Sequence, residues 1–203
     1  MTSAEDTKRY IGGLSQYGLI GVLAIIGTYS VAVIGPFFTA YDNLFELSIR
    51  IFALSGFVSL VIASVFSMYL REIRTHFSRP FMTVHHTFAA LGLIFVTAHP
   101  VTFAIYAASL TVFIPDISSW YAFWSLAGRQ AIYVIYIAVL AAFLRPRIRS
   151  AWRYFHGLIY LALFFAYIHG LLIGATLANP IIAVFFGFLL VVSLTVFVTK
   201  RKK

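Results

Sequence analysis

"WRYFHGLIYLALFFAYIHG", residues Trp152–Gly170, is a nearly unbroken apolar stretch that carries two histidines, His156 and His169, thirteen residues apart. Ionisable side chains inside such stretches are costly in lipid, and they mark function when they occur. A second stretch, "HHTFAALGLIFVTAHP" from His85 to Pro100, repeats the arrangement with His85 and His99 fourteen apart. The fold and the function both turn on these four imidazoles.

The chain of 203 residues is 62% hydrophobic, 18% aromatic and 10% charged. A soluble domain is about 45–50% apolar and about 25% charged, so this chain lacks the polar surface to cover a compact soluble body. Several apolar runs of about 20 residues match the length that crosses a hydrocarbon core of about 30 Å. The expectation is an all-α, polytopic membrane protein embedded in a lipid bilayer. Cysteine is absent, which excludes disulfides, thiolate-held metals, iron–sulfur clusters and thioether-linked haem.

Six spans fit the pattern, at roughly Tyr17–Phe38, Leu47–Leu70, Met82–Ser109, Ser125–Leu144, Tyr154–Leu177 and Ile181–Thr199. Each is expected to be a helix, which satisfies its own backbone hydrogen bonds in lipid. Breaker chemistry separates them at Asp42-Asn43, Arg79-Pro80, Pro115-Asp116, Arg145-Pro146 and Asn179-Pro180. The first span is too long for a signal-peptide core and reads as uncleaved. The whole chain reads as one domain.

The net charge of +9 is distributed by topology. Lys8 and Arg9 precede the first span, and Arg71, Arg74 and Arg79 separate the second from the third. Arg145, Arg147, Arg149 and Arg153 separate the fourth from the fifth, and "KRKK" closes the sequence. Only Arg50 and Arg129 fall on the other side, beside Asp42, Glu46 and Asp116. By the positive-inside rule both termini face the cytoplasm of a multi-pass protein in the cell membrane. No long basic surface remains for a nucleic acid.

The third and fifth spans run in the same direction. His85 and His156 each follow a basic loop, and His99 and His169 lie toward the opposite face. At about 1.5 Å per residue the separations are about 21 Å and about 20 Å, which makes a ladder of two rungs. Histidines on facing helices are how helical bundles build cofactor sites. A haem needs one axial ligand on each face, so two rungs would hold two b-type haems. With both positions filled, no coordination site is left on the iron for substrate, and electron transfer is the natural task.

Fourteen residues return His99 to within about 40° of His85 on an ideal helix. Thirteen leave His169 about 140° from His156, an angle that only a kink, tilt or tightened turn would reconcile. The same arithmetic favours His85 over its neighbour His86, which remains the alternative ligand. His76 reads as solvent-exposed. The ring nitrogen not bound to iron should donate to a backbone carbonyl or a nearby threonine.

These two motifs resemble the ferric reductase-like transmembrane domain, shared by NADPH oxidases, ferric reductases and the haem-binding membrane subunit of the periplasmic methionine sulfoxide reductase system. "HHTFAALGLIFVTAH" is similar to the family's third-helix signature, with His85 and His99 in the ligand positions. "WRYFHGLIYLALFFAYIHG" looks like the fifth-helix signature, with Trp152 ahead of His156 and Tyr160 after it. The resemblance implies six helices, two bis-histidine haems and electron transfer across the membrane. Many members continue into flavin and nicotinamide domains. This sequence ends at "VTKRKK" without a Gly-rich fingerprint, so the expected donor is a separate flavoprotein, another redox protein or a membrane quinone.

Arg129 and Arg153 are candidate partners for haem propionates, because a guanidinium suits a carboxylate. Arg79 and Arg145 share that chemistry but also serve topology. Trp120, Tyr121 and Trp124 fit an interfacial belt. The reading is a ferric-reductase-like oxidoreductase component passing electrons to an outer-face acceptor. Its alternatives are a quinol-linked haem subunit feeding an extracytoplasmic reductase and a haem-free transporter of metal ions or protons. The last would want carboxylates beside the histidines, and neither histidine-bearing span has one.

Overall fold

The computed structural model describes residues 43–67 and 81–201. The expected first span, and with it Lys8, Arg9, Arg71, Arg74, His76 and Arg79, lies outside the described residues. Among the described residues the secondary structure is helical, without strands. The helices are α1 (Leu44–Phe66), α2 (Phe81–Tyr106), α3 (Trp120–Ser125), α4 (Ala127–Phe143), α5 (Arg145–Ile148), α6 (Trp152–His156), α7 (Ile159–Ile173) and α8 (Pro180–Arg201). Short 3-10 turns occupy Leu110–Phe113 and Arg149–Ala151.

Helix starts follow the local chemistry. Asn43 caps α1 by accepting from the Phe45 N–H at 2.9 Å, and Ser119 caps α3 by accepting from the Ala122 N–H at 3.0 Å. Asn179 accepts from Ile181 N–H at 3.0 Å, and Pro180 occupies the first position of α8, where a missing N–H costs nothing.

Among the described residues four segments are long and apolar enough to cross a bilayer: Leu44–Phe66, Met82–Tyr106, Arg145–Ile173 and Pro180–Thr199. Two expected spans differ in detail. The stretch expected as Ser125–Leu144 is the 17-residue α4, set off from α3 by a break at Leu126 (φ −102°, ψ 17°). There the Leu126 N–H reaches Ala122 O, while Arg129 N–H turns back to Leu126 O. The stretch expected as Tyr154–Leu177 breaks after His156. Its Leu158 N–H bonds Phe155 O and its Tyr160 N–H bonds Gly157 O, both three residues back.

α1 and α2 pack antiparallel along their length. Two glycines set their approach: a Cβ on Gly56 would stand 2.7 Å from Val96 Cγ1, and one on Gly92 would stand 2.7 Å from Leu60 Cδ2. α4 packs against α6 and α7, and α8 lies across both α1 and α7. The α8 seams are a Ser64–Ser193 hydroxyl pair at 2.9 Å, the Tyr167 hydroxyl donating to Ala183 O at 3.1 Å, and Phe57 against Phe186. Small polar side chains serve as glue between helices where lipid gives no hydrophobic drive. Phe66, Leu163, Leu189 and Val61 are the largest fully buried side chains. α1 is the most enclosed span at 56% buried, against 11% for α2 and for the 145–173 segment. The histidines lie on α2, α6 and α7, and α2 does not pack extensively against α6 or α7.

Candidate functional site

His85, His99, His156 and His169 do the same thing at Nδ1. His85 bonds Ala63 O at 3.0 Å, His99 bonds Ile49 O at 2.9 Å, His156 bonds Ala138 O at 3.1 Å and His169 bonds Ser125 O at 2.6 Å. A carbonyl can only accept, so each Nδ1 carries its proton. In the neutral ring the lone pair then sits on Nε2. The carbonyl thereby fixes tautomer and ring orientation, as such partners do for metal-ligating histidines.

The anchors keep strict antiparallel register. His85 and His99 are fourteen apart on α2, and their acceptors Ala63 and Ile49 are fourteen apart on α1. His156 and His169 are thirteen apart, and so are Ala138 and Ser125 on the α3–α4 segment. Each histidine-bearing segment therefore lies against one partner segment that supplies both of its carbonyls. Gly56 and Gly92 sit midway between the anchors of the first pair, at its closest approach.

The acceptors are of two kinds. Ile49 and Ala138 lie inside α1 and α4, where a carbonyl also takes the N–H four residues on. Ala63 and Ser125 lie in the last turns of α1 and α3, where ladder partners run out. The Ser67 N–H bonds Ser64 and Val65, and the Arg129 N–H bonds Leu126, so neither continues onto Ala63 or Ser125. Each rung thus combines one histidine on a shared carbonyl with one on a helix-end carbonyl.

At one level the rings of His85 and His156 are 6.4 Å apart, centroid to centroid, with an interplanar angle of 75°. Two imidazoles bound through Nε2 to opposite sides of one metal, at about 2.0–2.1 Å each, place their centroids roughly 6 Å apart. His99 and His169 are the other two anchored rings, on Ile49 O and Ser125 O. The paired rings of His85 and His156, each with its lone pair on Nε2 in the neutral form, have the chemistry that a haem iron accepts. Among the described residues no three His, Cys, Asp or Glu side chains gather at one point.

The break after His156 bears on the spacing of thirteen. Residues bonded three back instead of four advance about 20° further each. The Leu158 and Tyr160 bonds therefore overwind this turn, in the direction that narrows the expected 140° mismatch. His86 is exposed beside His85, 5.8 Å from it by ring centroid.

Around the His85–His156 level, Trp152 lies 5.7 Å from His156, and the Arg145 guanidinium sits 5.0 Å over the Trp152 ring. Arg153 is exposed on α6, three residues before His156. At the other level Arg129 opens α4 and donates from Nη1 to Ile114 O at 2.7 Å. With Tyr133, whose hydroxyl donates to Phe113 O at 2.8 Å, it ties the 107–119 connector to α4. Hydrogen bonds from the Ser118 hydroxyl and N–H, and then the charge of Arg129, hold the Asp116 carboxyl below its ordinary value. Arg50 pairs with Glu46 at 4.0 Å, one turn away on α1. Between the levels, Thr97 and Tyr136 share a hydroxyl bond of 2.8 Å from α2 to α4.

Sequence reasoning singled out the four histidines and both arginines but not the carbonyls that orient the rings, because a backbone carbonyl has no residue signature. Trp124 of α3 packs edge-on to Phe164 and within 5.8 Å of Phe165 on α7, one turn before His169. Its expected interfacial place is therefore also a packing place, while Trp120 and Tyr121 remain exposed. No protein-family model, no curated protein and no solved structure matches the chain.

Proposed function

We propose that the protein is a six-helix membrane cytochrome b that carries electrons from the cytoplasmic face to the outer face. The observation that carries the reading is the set of four Nδ1–carbonyl bonds in matched register, which puts the lone pair of each neutral ring on Nε2. His85 and His156 are the ligands of the inner haem, and His99 and His169 those of the outer haem. When bound, each haem supplies a one-electron Fe(III)/Fe(II) couple. The chain's own contribution is to fix ring tautomer and direction through α1 and the α3–α4 segment, and to keep water from the irons with apolar helices.

The basic end of the 145–173 segment supports a cytoplasmic inner level under the positive-inside rule, with both termini on that side. Arg153 stands three residues from His156, and Arg129 stands in the first turn of α4 near the His169 anchor. They are the proposed partners of the inner and outer propionates. Arg129 uses one nitrogen on Ile114 O, and a guanidinium has five donors. The donor is a separate flavoprotein, redox protein or quinol, and the acceptor is met at the outer face. The resemblance of the two motifs to ferric reductase-like domains supports the same assignment.

The test is a pyridine haemochrome assay on purified protein after haem-sufficient expression, repeated on single His→Ala variants. The expected result is two haems per chain in the parent. His85→Ala and His156→Ala should lose one spectral component, and His99→Ala and His169→Ala the other. A parent without a Soret band, or four variants with unchanged haem content, would refute the proposal.

A further inference from the structure

The α3–α4 break touches one histidine at two places. Ser125, the last residue of α3, offers its carbonyl to His169 Nδ1 at 2.6 Å. Three residues later, Gly128 lies against the same ring. A Cβ built on Gly128 would stand 2.8 Å from His169 Cδ2, 3.0 Å from Nε2 and 3.1 Å from Cγ. The near-equality of these distances puts that carbon over the face of the ring. The shortest lies inside the limit that packed carbon atoms respect. Gly128 has an ordinary negative φ, so backbone freedom does not account for glycine at this position.

We infer that the α3–α4 break is a positioning device for His169 and that Gly128 is its positioning residue. The break frees the Ser125 carbonyl from the helix ladder and brings a backbone without a side chain onto the ring face. The carbonyl pins one edge of the imidazole, and Gly128 sets the plane in which the ring lies. Chain neighbours aside, no histidine atom is among the three atoms nearest the Cβ of any other described glycine. A methyl group at position 128 must turn the ring about its Ser125 anchor, and that turn carries Nε2 with it. The inference rests on His169 as an axial ligand of the outer haem. Its structural half, the coupling of positions 128 and 169, stands without that reading.

The experiment compares Gly128→Ala, Gly128→Val and Gly187→Ala in the full-length, haem-loaded protein, using haem content and low-temperature EPR. Gly128→Ala should retain two haems, with the low-spin signal that His169→Ala abolishes now shifted and the other signal unmoved. Gly128→Val should fall from two haems to one, losing the same component as His169→Ala. Gly187→Ala, whose methyl would meet the Tyr167 hydroxyl at 2.7 Å, should leave both signals in place. Gly128→Ala with both signals at parental positions, or with both shifted alike, overturns the inference.

A double-mutant cycle covers poor folding and a haem-free parent alike. The loss of thermal stability in detergent caused by Gly128→Ala should vanish in a His169→Ala background, where the ring is gone. An equal loss in both backgrounds overturns the inference. Absence of haem in the parent, with the coupling intact, would instead remove the haem reading alone.

Discussion

Gly56→Ala strikes the α1–α2 crossing at the midpoint between Ile49 and Ala63, the two carbonyls that anchor His99 and His85. The added Cβ would lie 2.7 Å from Val96 Cγ1 and 3.0 Å from the Val96 backbone nitrogen. The valine methyl can rotate, but the backbone nitrogen cannot. Restoring an ordinary 3.4 Å to each requires α2 to move off α1 by about 0.4 to 0.7 Å. Because the wedge is central, both anchors lengthen together. The bonds at 2.9 and 3.0 Å become roughly 3.3 to 3.7 Å, which straddles the distance beyond which a contact is no longer a hydrogen bond.

Overpacking of this kind costs about 1–3 kcal/mol, and each weakened interhelical bond adds about 0.6 kcal/mol in a membrane protein. Thermal unfolding in detergent reads the sum. The Nδ1 proton resonances of His85 and His99 read the anchors directly, and both should move upfield while those of His156 and His169 stay. Gly92→Ala, with its Cβ 2.7 Å from Leu60 Cδ2 and Cγ, should act on the same pair. A Gly56→Ala protein with parental melting and four unmoved resonances would refute the reasoning, since the crossing would then have slack.

Removing one hydroxyl of the Ser64–Ser193 pair strands the other: Ser193 is fully buried, so Ser64→Ala should cost about 1–3 kcal/mol. The double variant Ser64→Ala/Ser193→Ala should melt closer to the parent than Ser64→Ala alone, as scanning calorimetry in detergent can establish. Arg129→Gln removes the 2.7 Å bond to Ile114 O. Limited proteolysis should cut the 107–119 connector about fivefold faster, as expected for roughly 1 kcal/mol. Asp116 has its folded pKa depressed, first by Ser118 and then by Arg129, so its stabilisation is complete above the ordinary carboxylate range and is lost as pH falls through the folded value. Connector cleavage by an acid-active protease should therefore rise on acidification below that range, and Asp116→Asn should flatten the rise.

Much of the scaffold was legible because lipid leaves a chain few choices. Apolar runs of sufficient length must be helices, and Asn43, Ser119 and the Asn179-Pro180 pair mark starts where the sequence has cap chemistry. The break at Leu126 was not legible. "WYAFWSLAGRQAIY" holds no proline, and its one glycine, Gly128, lies inside α4. The turn is fixed instead by α3 docking Trp124 and Phe123 on Phe165 of α7. Tertiary packing overrides a continuous helical propensity there. The outcome for His169 follows the same logic. A thirteen-residue spacing fails on an ideal helix, and the tightened turn at Gly157–Leu158 that offsets it depends on bonds three residues back, which hydrophobic periodicity does not encode.

The carbonyl anchors explain why spacings of fourteen and thirteen can coexist in one site. A histidine ladder need not be regular along its own helix; it needs each ring to meet an acceptor at the same depth on the partner helix. Where the partner is the continuous α1, the histidines follow its fourteen-residue spacing over four turns. Where the partner is α3 joined to α4 through a break, the acceptors stand thirteen apart, and the histidine segment is broken to match. The two departures from ideal helix, at Leu126 and at Gly157–Leu158, are then coupled. A substitution that straightened one should misplace His169 unless the other straightened with it. Inserting one alanine after Leu126 should therefore displace the Ser125 anchor of His169 while sparing the anchors of His85 and His99, which lie wholly on α1.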